Sequence, residues 1–176
     1  EIFYLSEIEF IQGKAQKILT DAISIDRFPE IKNDLKKLRI AYKISKILDS
    51  LIKGQEPDEK IWQLLKEVFQ KLNSLKELEI IYGYFFWNFI SILGYQPELY
   101  HCLCCRKKII AEKNYFLPKE GGMACGDCQA SEDKEISPEA IKILRLIIKK
   151  DWPTLLKLKF EAQYLKELSL ISSHYL

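Results

Sequence analysis

Apolar residues recur at helical spacing along most of the chain. Ile61, Leu64, Leu65, Val68, Phe69 and Leu72 fall on one face, which predicts an amphipathic helix over Asp58 to Leu72 with Asp58 as its cap. An earlier helix is predicted from about Pro29 to Lys53, with the proline in its first turn. In it Ile31, Leu35, Leu38, Ala41, Tyr42, Ile44, Leu48 and Leu51 cover most of the circumference, as in a largely buried helix with one solvated edge. Gly54 to Pro57 ends it. Ser74 and Glu77 have capping-box spacing and open a helix running to Leu93. From Ile80 that helix is apolar on every face (IIYGYFFWNFISIL), so it should be central. Its aromatics Tyr82, Phe85, Phe86, Trp87 and Phe89 read as core, not as a ligand pocket. Gly94 suits the position just past the helix end, with Pro97 preventing re-entry. Ser137-Pro138 opens another helix with Ile141, Leu144, Ile147 and Ile148 inward. Trp152-Pro153 marks a break, and a short helical piece with Leu155, Leu156 and Leu158 follows. A last helix from about Glu161 carries Tyr164, Leu165, Leu168 and Ile171.

The N-terminal pattern is less regular. Residues 1–5 suggest a short strand, and Ser6 with Glu9 suggests a capped helix from about Glu7 to Ile23, a reading that Gly13 weakens. A lone strand needs partners. The expectation is therefore an upstream domain, and the lack of a stop signal at Leu176 raises the same expectation for the other end.

Between the helices, Cys102/Cys105 and Cys125/Cys128 form two C-x-x-C knuckles separated by nineteen residues. Two such pairs at this spacing point to a metal, most simply one zinc in a Cys₄ shell. Four protein ligands leave no position for a reacting water, so the site reads as structural. A disulfide pair, or a ribbon that has lost its metal, competes with this reading. Tyr115 to Leu117 supplies a strand and Gly121-Gly122 a turn, giving the order knuckle, strand, turn, strand, knuckle. Cys104 could compete for the metal, although the C-x-x-C register favours the other two cysteines. His101 could replace a ligand or support one, but is more simply a turn histidine.

The 176 residues are 48% hydrophobic and 30% charged, an ordinary globular balance, and the net charge of +2 makes any electrostatic argument local. Ile80 to Leu93 is too short to span a bilayer, no secretory signal is visible, and C-x-x-C cysteines suit a reducing cytoplasm. Lys32, Lys36, Arg39, Lys43 and Lys46 share one stripe at 100° per residue. A solvated edge is the simpler account of such a stripe; the rival reading, a surface for phosphates or an acidic peptide, rests on its single sign. Lys107, Lys108, Lys113 and Lys119 make the ribbon locally basic, as the surface of so small a module would also require. No nucleophile triad, phosphate loop or dinucleotide fingerprint is present, so the sequence predicts no enzyme and no small-molecule substrate.

The runs FISILGYQPELYHCLCC, YFLPKEGGMACGDC and ISPEAIKILRLIIK closely resemble the C-terminal part of the RecO family of bacterial repair and recombination proteins. RFPEIKNDLKKLRIAYKISKILDSLI with EPDEKIWQLLKEVF is similar to the family's first long helices, and FEAQYLKELSLISSHYL to its closing helix. The specific part is the L-G-Y-x-P-x-L lead into the first knuckle with the G-G turn before the second. The resemblance implies a mainly α fold, a helical bundle with an inserted Cys₄ zinc ribbon, in which the N-terminal strand is a remnant of an OB fold. The expected layout is residues 1–5 as that strand, 6–98 and 132–176 as the helical domain, and 99–131 as the ribbon. The resemblance further implies a mediator that binds single- and double-stranded DNA and the C-terminal tail of single-strand-binding protein (SSB). With RecR it would promote annealing and RecA loading, in the cytoplasm at the nucleoid. The alternative is a zinc-ribbon scaffold that binds proteins only.

Overall fold

The most apolar stretch of the chain forms a helix that is buried almost all round, and the second half of the molecule is built about it. In a computed structural model, which describes residues 2–14, 16–53, 58–128 and 134–175, the chain divides into two compact units. The first comprises Glu1–Pro57 and Leu65–Leu78, the second Asp58–Leu64 and Glu79–Leu176. Among the described residues there are seven α-helices and two small sheets.

The first unit opens with an antiparallel hairpin, β1 (Leu5–Gln12) and β2 (Lys17–Asp26). The helix expected from Glu7 to Ile23 does not form. The strand expected over residues 1–5 begins only at Leu5 and runs on to Gln12. Isoleucine and threonine at Ile18, Thr20, Ile23 and Ile25 favour extended backbone, and the Gly13 N–H donates to Gln16 O to close the hairpin. Ser6-x-x-Glu9 thus has capping-box spacing without a helix to cap. The hairpin leaves Ile8, Ile11, Leu19, Ile23 and Ile25 exposed.

Two further corrections concern the next helix. The expected helix from Pro29 to Lys53 is broken into α1 (Pro29–Asn33) and α2 (Leu35–Leu51) at Asp34. Asp34 is extended (φ −118°), and its carboxylate caps α2 by accepting from the N–H groups of Lys36 and Lys37. The expected burial is also limited. Ala41, Ile44 and Lys37 are buried on α2, whereas Leu35 is 82% exposed and Tyr42 and Leu51 are exposed as well. The Lys37 stem lies along the apolar surface and its Nζ donates to Asn73 O at 2.7 Å. The stop read at Gly54 to Pro57 lies outside the described residues.

α3 (Glu59–Ser74) forms as the spacing predicts, with Asp58 accepting from the N–H groups of Lys60 and Ile61. Ile61, Leu64, Val68 and Leu72 are buried. The capping box at Ser74 is absent because Ser74 ends α3, its hydroxyl donating back to Gln70 O. α4 therefore starts later, at Leu78, and runs to Ile92.

In the second unit, α4 buries every residue from Tyr84 to Ile90. Gly94, at φ 92°, closes it: Gly94 N–H donates to Ser91 O and Tyr95 N–H to Ile90 O, the paired bonds of a Schellman end. α5 (Pro138–Ile148), capped by Ser137, α6 (Trp152–Leu155) and α7 (Ala162–Tyr175) follow. The buried Asn88 amide ties α4 to α5 by donating to Tyr84 O and Ile147 O at 2.9 and 3.0 Å. Asn88→Ala leaves the Ile147 carbonyl without that donor and should cost about 1–3 kcal/mol. A urea midpoint equal to that of the parent chain would show that the bond contributes nothing.

Candidate metal centre

The inserted module is a four-stranded sheet in the order β3-β5-β4-β6: β3 (Glu98–Cys102), β4 (Asn114–Leu117), β5 (Gly122–Cys125) and β6 (Lys134–Ile136). β4 and β5 are the antiparallel pair expected around Gly121-Gly122, while β3 runs parallel to β5. That parallel pairing brings the knuckle at the end of β3 beside the one at the end of β5. It requires glycine at position 122, where a Cβ would lie 2.9 Å from Glu98 O and 3.0 Å from Leu103 Cδ1. The sheet reaches beyond the 99–131 expected for the ribbon, since β6 pairs with β4 through Phe116↔Lys134 to Asn114↔Ile136.

The Sγ atoms of Cys102, Cys105, Cys125 and Cys128 all lie within 4.8 Å of one another, and those of Cys105 and Cys125 are 3.6 Å apart. Four thiolates about 2.3 Å from a metal form a tetrahedron with edges of about 3.8 Å, so the sulfur spacing suits one ion. The charges agree. Burial by itself raises the Cys102 thiol, but the backbone N–H groups of Cys105, Cys125 and Cys104 bring it down to about 6. Burial and the neighbouring Cys105 sulfur push Cys125 up, and contacts with Cys105 and Cys125 push Cys128 up. A cluster that readily holds one thiolate but resists further anions is one that a dication completes.

Cys104 and His101 fall outside that four-sulfur group, although the Cys104 sulfur adjoins those of Cys102 and Cys128. Cys104 and His101 are exposed, and His101 Nδ1 lies 3.8 Å from Glu98 Oε1. The Glu98 carboxylate also accepts from the N–H groups of Tyr100 and His101, which holds it below its ordinary carboxylate range. Of the basic residues singled out in the ribbon, Lys107 pairs at the surface with Asp127 of the other knuckle at 3.1 Å, and Lys108 is exposed. Lys113 pairs with Glu135 at 3.3 Å.

The residues of the basic stripe are only partly brought together. Lys36, Arg39, Lys43 and Lys46 are exposed on α2. Lys32 is on α1 beyond the break, with its ammonium 3.2 Å from the centre of the Tyr4 ring. Sequence reasoning did not single out Arg145. Its guanidinium donates to Leu99 O through Nε (3.1 Å) and Nη2, and to Ile109 O at 3.4 Å, fastening the ribbon to α5. No local signal marks a latch to carbonyls so far away in sequence.

Residues 32–176 match the sequence model of the family described as Recombination protein O C terminal. The chain belongs to the RecO family. A DNA repair protein RecO of Dehalococcoides mccartyi is 32% identical over 171 residues, which is 97% of this chain and 68% of that protein. Those of Desulforamulus reducens and a Roseiflexus species are 27% identical over 176 residues and 25% identical over 147. The first match covers 99% of this chain and 68% of the relative, the second 84% and 52%. The family model begins at Lys32, so the hairpin lies outside it. No described helix is long and apolar enough to cross a membrane.

Proposed function

We propose that this chain acts in DNA repair and recombination as part of a RecO-type mediator, binding DNA and protein partners without making or breaking bonds. The observation that carries the reading is the RecO match over residues 32–176, which includes all four clustered cysteines. A soft, all-thiolate tetrahedral set suits zinc, and four protein ligands leave it no position for substrate or water. One structural Zn²⁺ would thus fix the two knuckles, held by Cys102, Cys105, Cys125 and Cys128. The domain is read as a helical fold with an inserted ribbon. The proposed partners are single- and double-stranded DNA, the acidic C-terminal tail of SSB, and RecR. Annealing and RecA loading at the nucleoid would be the outcome.

The exposed cations of α2 support a surface for phosphates or for that acidic tail, with Lys36, Arg39, Lys43 and Lys46 on a single helix. The test is a titration of the metal-loaded chain with fluorescent SSB tail peptide and with single-stranded DNA at two salt concentrations. Lys36→Glu/Lys43→Glu should weaken the ligand that uses this surface about tenfold or more and flatten its salt dependence. Unchanged affinity for both ligands removes α2 from the account. Peptide binding without DNA binding favours the protein-only scaffold.

A further inference from the structure

A second basic surface lies in the second unit, on the ribbon side of α5. After Glu139 in its first turn, α5 carries no acid, and Lys142, Arg145 and Lys149 recur at spacings of three and four residues on one face. Arg145 is committed to the fold through its bonds to Leu99 O and Ile109 O. Those bonds set its guanidinium 4.7 Å from the centre of the Tyr100 ring, and Lys149 Nζ lies 5.7 Å from the same centre. Tyr100 is half-buried on β3, and its carbonyl accepts from Ile109 N–H at 2.8 Å. That bond places the exposed Lys108 in the segment alongside, where it bridges to His101. Lys142, Lys149 and Lys108 are exposed and have no carboxylate partner among the described residues. The nearby Glu98 carboxylate is engaged by the N–H groups of Tyr100 and His101.

An aromatic ring with cations over it and further cations along one line offers an unpaired base a stacking partner and its phosphates a positive edge. A duplex keeps its bases stacked on one another, and an acidic peptide needs only the charges. We propose that Tyr100 with Lys142, Lys149 and Lys108 forms a docking site for single-stranded nucleic acid. A base stacks at Tyr100, and the lysines meet the backbone on either side. The site rests on the DNA-binding reading above and adds where the strand lies.

The test is anisotropy of labelled oligothymidylate with the metal-loaded chain at several salt concentrations, with metal content and thermal midpoint measured for every variant. Tyr100→Ala should weaken binding about tenfold, while Tyr100→Phe, which keeps the ring, should retain it. Lys142→Glu/Lys149→Glu, at two exposed positions, should weaken binding and lower the slope of log affinity against log salt by roughly 1.4. Parental affinity in folded Tyr100→Ala, or in Lys142→Glu/Lys149→Glu, overturns the site. If Lys36→Glu/Lys43→Glu alone abolishes binding, the strand belongs on α2; this site then fails while the DNA reading stands. If the parent chain binds no oligothymidylate, both fail. An acidic peptide whose binding is weakened by the lysine reversals but not by Tyr100→Ala would make this a peptide surface and overturn the nucleic-acid assignment.

Discussion

Cys125→Ser is expected to leave the chain with far less than one bound zinc and to unfold the ribbon, while Cys104→Ser keeps its metal. Cys125 lies at the junction of β5 and the second knuckle; its Sγ is 3.6 Å from that of Cys105 and its N–H donates to Cys102 Sγ at 3.4 Å. Its loss therefore removes a ligand and leaves the remaining sulfurs with one charge too few. Structural zinc supplies on the order of 10 kcal/mol of folding free energy in small sites, more than the sheet of short strands around it could replace. A metal held by these sulfurs would compete with protons. Cys102 is lowered to about 6, so its ionised form is favoured in the folded chain above that pH and is lost as the pH falls through it. Cys125 and Cys128 are raised, so they take up protons readily unless a cation holds these off. Acidification should release the metal more steeply than a single-proton titration, as followed with a chromogenic chelator. Full zinc stoichiometry in Cys125→Ser would sink the four-cysteine assignment, and metal loss in Cys104→Ser would put the wrong cysteine in the set.

Trp87→Ala should cost about 3–5 kcal/mol. Trp87 is fully buried on α4, with its ring 5.9 Å from Phe116 on β4 and 5.0 Å from Tyr175 near the end of α7, both edge-on. One side chain thus packs the ribbon sheet and the closing helix against the central helix. The Tyr175 hydroxyl continues the connection by donating to Tyr95 O at 2.9 Å. Denaturant unfolding should show a large drop in midpoint for Trp87→Ala and a small one for Trp87→Phe, which keeps an aromatic ring in the gap. A loss below about 1 kcal/mol for the alanine variant would mean that the three rings do not hold these elements together.

The difference between α4 and the N-terminal segment shows where pattern suffices. From Ile80 onward α4 has no polar face to orient it, and only the middle of a core can accept such a helix. Residues 5–26 mix charged and apolar positions without a clean period of either kind. The hairpin register even shifts between Glu9 and Phe10, which breaks the alternation that would have marked a strand. For α2 the spacing gave helical backbone but neither its start at Leu35 nor its environment. Apolar character over most of a circumference suggests burial, yet Leu35 faces solvent and Lys37 does not.

The two C-x-x-C pairs were legible by themselves as candidate ligands, because a knuckle is a local turn and its two sulfurs are aimed by the backbone between them. The same local logic placed the caps at Asp58 and Ser137 and the end of α4 at Gly94. Tertiary structure decided the rest. The parallel pairing of β3 with β5 brings the two knuckles to one point, and Lys107 meets Asp127 across them. The reach of Arg145 to Leu99 O and Ile109 O joins α5 to the ribbon and sets a cation over Tyr100. These contacts join residues about twenty to forty-six positions apart. Propensity and periodicity describe neighbours within a few residues, so only the packed chain reveals them.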